Sequence, residues 1–177
     1  MPRSSAPVWI SEFMCMKKSD LIAKMIAFSE GNVSDINHFL KVYAFAKTLG
    51  ELENLDEKTQ DILEIAAIVH DIACPLCREK YGCTAGHYQE AESENLLRKF
   101  FAEAKLDLEV LERVIFLVCR HHTYDGVDST DWQLLLEADY LVNAHEMACS
   151  KESIIAFRDK VFKSHSGIDL LNSIYLK

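Results

Sequence analysis

The stretch DEKTQDILEIAAIVHD, residues 56–71, decides the fold. Acids fill its first turn, where the unpaired N–H groups and positive dipole end of a helix favour them, and from Ile65 to Val69 it is wholly apolar. It reads as a helix whose C-terminal half is buried. That helix ends in two adjacent polar side chains, His70 and Asp71, and a Cys-x-x-Cys, Cys74 to Cys77, follows at once. The chemistry of the chain lies in the histidine–aspartate pair, in the thiols or in both, unless the stretch is only a helix terminus.

The same helical period runs outward in both directions. DLIAKMIAFSEGN (20–32) stops at Gly31-Asn32, and Ser34 or Asp35 is placed to cap INHFLKVYAFAKTLG (36–50), where Ile36, Phe39, Leu40, Tyr43 and Ala46 recur at helical spacing. Residues 72–86, with Pro75, Gly82 and Gly86, read as a loop holding at most a short helical turn. Helical patterns resume over 87–104, 107–122, 131–149 and 151–165, with a polar loop, TYDGVDST, at 123–130 and a short closing helix over 167–177. No repeat, low-complexity tract or strand pattern competes. The expectation is an all-α protein: one bundle of about seven helices over residues 19–177, preceded by an N-terminal arm over 1–18.

Composition narrows the partners. A chain of 177 residues carries one substantial core, and a formal charge of −9 with no Lys/Arg stripe disfavours nucleic-acid binding. An acidic protein still accepts a small phosphorylated substrate when metal ions supply the positive charge. No run of eighteen apolar residues spans a membrane, and the start lacks a signal-peptide pattern, so a cytoplasmic location and free thiols are expected. Trp9, Ile10 and Phe13 in the arm are candidates for docking on a second copy, which keeps a homodimer open.

Metal-competent side chains recur where the pattern predicts burial. His38 lies early in its helix, His70 and Asp71 end the most apolar helix, His121 and His122 end another apolar run, and Asp139 interrupts LLLEADYLVNA. Any one of these alone reads as a cap or a hydrogen-bonded core residue. Together, on four helices of one domain, they supply the imidazole and carboxylate donors that a divalent ion prefers.

Four stretches carry a resemblance in this order: NHFLKVYAFAKTLG (37–50), IAAIVHDIA (65–73), RHHT (120–123) and LLEADYLVNAHE (135–146). They resemble the HD superfamily of metal-dependent phosphohydrolases, over roughly residues 34–147. The resemblance implies an HD-domain-like bundle that uses metal-activated water to cleave a phosphate mono- or diester of a small molecule, a nucleotide above all. It implies His38, His70, Asp71 and Asp139 as the principal metal site. A second ion would draw on His87, His121 and His122, with Asp71 as the bridge. One or two divalent ions are therefore expected, drawn from Fe, Mn, Co, Ni, Zn and Mg. Asp71, Lys41 and Arg120 form the expected catalytic set, and Arg78 and Lys80 are further candidates for phosphate oxygens. Tyr124 is a candidate for stacking, while Asn143 and Glu146 are candidates for orienting a ligand. The alternative is a non-catalytic helical module that keeps metals for ligand sensing or interaction.

The thiols offer a rival centre. Cys74-x2-Cys77-x5-Cys83-x3-His87 matches the donor count of a structural zinc loop, and such a loop would claim His87 for itself. A redox role for Cys74 and Cys77 lacks the preceding strand of a thioredoxin-like context. Unpaired thiols are the plainer reading.

Overall fold

The structure is a computed structural model, and it describes residues 17–104 and 106–177. Nine helices and no strand form among the described residues. They are α1 (Lys18–Phe28), α2 (Val33–Leu52), α3 (Glu57–Val69), α4 (Cys74–Tyr81), α5 (Gly86–Phe100), α6 (Leu108–Val118), α7 (Thr130–Glu146), α8 (Lys151–Val161) and α9 (His165–Tyr175). The architecture is the all-α one the sequence predicts. Most of the expected arm, with Trp9, Ile10 and Phe13, lies outside the described residues.

Local chemistry sets the helix starts. Asn32, Asp56, Asp107, Ser150 and Ser164 cap α2, α3, α6, α8 and α9 with side-chain oxygens that accept first-turn N–H groups. Asn32 takes the role expected of Ser34 or Asp35, which lie inside the first turn of α2. The expected loop over 72–86 contains α4. Pro75 does not break this helix because it sits in the first turn, where its missing N–H has no intrahelical partner to lose. Gly82, left-handed at φ 72°, closes it.

α3 is the spine of the bundle. Every residue from Ile62 to Val69 is buried, and α1, α2, α6 and α7 pack around it. α2 also lies along α7, so the helix carrying His38 faces the helix carrying Asp139 and Glu146. Two predicted helices stop early. α3 ends at Val69 and α6 at Val118, which leaves His70-Asp71 and His121-His122 in turns at the helix ends. No helix among the described residues is long and apolar enough to cross a membrane.

One buried carboxylate holds the C-terminal helices to this frame. Glu137, fully buried on α7, accepts the backbone N–H groups of Lys163 (2.7 Å) and Ser164 (3.0 Å), the Ser164 hydroxyl and the Gln133 amide. Glu137→Ala orphans these donors, and the expected loss is about 3 kcal/mol of unfolding free energy. Urea denaturation measures it, and metal affinity is expected to change much less than stability.

Candidate metal centre

The centre is built by the same device used twice. At the end of α3 the Nδ1–H of His70 donates to the carbonyl of Ala67 at 2.8 Å, and at the end of α6 the Nδ1–H of His121 donates to the carbonyl of Val118 at 2.6 Å. A carbonyl can only accept, so in each ring Nδ1 carries the hydrogen and Nε2 is left to face the interior. Both rings are fully buried. His38, near the start of α2, meets the same constraint from a carboxylate: its Nδ1–H donates to Glu146 at 2.8 Å. Its Nε2 then lies 3.1 Å from His70 Nε2 and 3.1 Å from an Asp139 oxygen.

Asp71 and Asp139 face these nitrogens. Asp71 is 3.5 Å from His38 Nε2, 3.6 Å from His70 Nε2 and 3.5 Å from His121 Nε2. Asp139 is 3.5 Å from His70 Nε2 and accepts the Asn143 amide at 2.8 Å. Two sets of donors converge within 4.8 Å among the described residues: His38, His70 and Asp71, and Asp71, His121 and His122. Asp71 belongs to both. Nε2 of His121 and Nε2 of His122 are buried without a hydrogen-bond partner. Orphaned buried acceptors are costly in a folded protein, and a divalent ion satisfies them directly. The residues therefore fit a metal.

Electrostatics follows from the enclosure. Burial alone would lower the pKa of His38, but the hydrogen bond to Asp139, the charges of Asp71 and Asp139 and the hydrogen bond to Glu146 outweigh it and raise it to about 9. Burial would raise both aspartates, yet the facing histidines hold Asp71 and Asp139 below the usual carboxylate range. His122 is pushed down to about 4 by burial and then by His121, which keeps its lone pair free for an ion.

The centre forms one wall of a cavity of about 680 Å³, lined by His38, Asp71, His122 and Asp139. Arg78, paired with Asp35, and Glu146 stand at its margin. The lining is also aromatic: Tyr140 stacks on Phe157 at 3.6 Å and Tyr124 meets Phe157 edge-on at 5.2 Å. A cleft of about 770 Å³ elsewhere, between Thr59, Arg113 and Asp131, contains none of these donors, and Arg113 and Asp131 pair with each other.

Of the residues singled out from sequence, His38, His70, Asp71, His121, His122 and Asp139 come together. His87 does not. It lies exposed in the first turn of α5 against Tyr88, outside both donor sets. Arg120 is also turned away, its guanidinium 4.1 Å over the Phe116 ring. Lys41 reaches the centre only through Glu146, at 2.8 Å, and Lys80 pairs with Glu92 at the surface. The described cysteines are free thiols; Cys74 and Cys77 are buried, Cys83 is exposed, and no cysteine joins a donor set among the described residues.

Sequence reasoning missed the two neighbours of His87 that matter. Glu90 accepts the His122 N–H at 3.0 Å and the Thr123 hydroxyl at 2.9 Å, fixing the turn that presents His122. Gly86 lets α5 approach that ring so closely that a Cβ there would sit 2.5 Å from His122 Cγ. The only signal was the spacing of polar residues in GHYQE, which drew attention to its histidine.

A family model described as HD domain matches residues 35–157. No curated protein matches the chain.

Two outcomes follow from this geometry. In metal-free protein the raised pKa of His38 stabilises the fold fully below its unfolded value of 6.5, and that contribution disappears as pH rises through about 9. The depressed aspartates titrate far below this window. Tm of chelator-treated protein should therefore fall by about 5–10 °C from pH 6.5 to 9, while metal-loaded protein should not show the fall. Separately, Gly86→Ala should displace His122, lowering stability by about 1–3 kcal/mol and metal affinity by about tenfold, read by thermal melts and Mn or Zn titration.

Proposed function

The chain belongs to the HD-domain family, whose members are generally metal-dependent hydrolases, and on that premise we propose that it is a phosphohydrolase acting on a small phosphorylated molecule. The reading further takes the substrate as a mono- or diester, a nucleotide above all, and the metal centre as binuclear. The observation that carries it is the sharing of Asp71 between two largely buried donor sets that open onto one cavity. When bound, divalent ions there polarise a phosphoryl oxygen and acidify water at neutral pH.

The rest is the work of the chain. His70 and His121 present Nε2 because backbone carbonyls hold their Nδ1–H groups. Glu146 does the same for His38 and is itself held by Lys41. Asn143 fixes one oxygen of Asp139. Arg78, one of the expected candidates for phosphate oxygens, is the single Lys or Arg lining the cavity among the described residues. Asp35 already pairs with it, so the phosphoryl group relies on the ions for its counter-charge. Tyr124, Tyr140 and Phe157 give the organic part of the substrate an apolar, flat surface and exclude water from that side.

Metal analysis combined with a panel of phosphoesters tests the reading. Metal-loaded protein should release phosphate from at least one mono- or diester, and Asp71→Asn should reduce that rate by more than about 100-fold, beyond what loss of an outer partner costs. Stoichiometric metal with no ester cleaved would overturn the hydrolase reading in favour of a metal-containing sensing module.

A further inference from the structure

Four carboxylates, Asp35, Asp71, Asp139 and Glu146, line the cavity against one guanidinium, Arg78. Asp71 and Asp139 are committed to the metal donors. The remaining two are placed on the basic side chains. Asp35 pairs with Arg78, and Glu146 accepts both from Lys41 Nζ at 2.8 Å and from His38 Nδ1 at 2.8 Å. Among the described residues, each of these two cations, Arg78 and Lys41, is therefore already neutralised.

A phosphoryl group bound at the donor sets meets the charge of the ions they hold. A second or third phosphoryl group would extend away from them along a margin that, among the described residues, offers no unpaired cation and two carboxylates. Polyphosphate sites are ordinarily built the other way, with Lys, Arg or backbone N–H groups along the chain of phosphates. Rejection by a placed like charge is as effective a source of selectivity as a new attraction.

Resting on the hydrolase reading, we propose that this cavity selects substrates with a single phosphoryl group and rejects nucleoside di- and triphosphates, with Asp35 as a specificity-determining residue. Asp35 acts by holding Arg78 and by its own charge. The aromatic lining remains open to the organic portion of the substrate, so selection falls on the number of phosphates.

Phosphate release from AMP, ADP and ATP by metal-loaded protein, wild type and Asp35→Asn, tests this. The wild type should favour AMP over ADP and ATP by at least tenfold in kcat/KM. Asp35→Asn, which keeps the side-chain shape and frees Arg78, should narrow that ratio at least fivefold. A merely structural residue would scale all three rates together and leave the ratio unchanged. A wild-type preference below tenfold, or an unchanged ratio in the variant, overturns the proposal while leaving the hydrolase reading intact. If none of the three is cleaved, calorimetric binding of AMP and ADP decides: tighter AMP binding that Asp35→Asn narrows supports the selectivity and removes only the hydrolase reading, and equal or tighter ADP binding overturns the proposal.

Discussion

The hydrogen bond from His70 Nδ1–H to the carbonyl of Ala67 fixes which nitrogen of that ring faces the interior. It exists because α3 stops at Val69. In the last turn of a helix the carbonyls have no intrahelical partner, and an imidazole at the terminus can fold back onto one of them. A buried ring held this way cannot rotate to hide its second nitrogen. The same bond recurs at the end of α6, so the last-turn carbonyls of two helices become rigid supports for metal donors.

Burial of Asp71 and Asp139 is tolerable only in this company. Two carboxylates enclosed together repel each other and lose their hydration, a cost that isolated burial would not recover. Without metal, His38, whose pKa its acidic neighbours raise, supplies the counter-charge, its Nε2 lying 3.1 Å from an Asp139 oxygen and 3.1 Å from His70 Nε2. A divalent ion would replace the His38 proton with a larger charge and also satisfy the orphaned nitrogens of His121 and His122. Protonation and metal binding are alternative answers to one electrostatic problem, which is why they compete.

What was legible in the sequence follows from where each residue's role originates. An apolar run that ends in His-Asp or His-His announces a polar group kept inside, and Asp139 inside LLLEADYLVNA does likewise. The spine helix and the all-α architecture rest on the same periodicity. Roles set by packing between distant segments left no such mark. Gly86 matters because of a ring 36 positions on, and Glu90 because of the backbone at His122 and Thr123. His87 is exposed on α5 while its neighbour Gly86 packs against the His122 ring, a difference that residue type, which left His87 open between the metal site and the thiols, does not reveal. Pro75 read as a breaker because position within a helix is invisible before the helix start is known.

The outer charges of the cavity differ in kind from the inner ones. Asp71 and Asp139 are held by histidines that must stay in place for the bundle to close, so their substitution mixes stability with chemistry. Asp35 and Glu146 instead pair with Arg78 and Lys41, cations that are about 40% and 49% exposed on their side chains. An exposed pair contributes little to folding. Such pairs contribute little to stability, yet Asp35, Arg78 and Glu146 line the cavity, which is where the proposed selectivity places their effect. The inner set gathers the donors that could hold ions; in the selectivity proposed above, the outer set limits how much further negative charge accompanies a bound phosphoryl group.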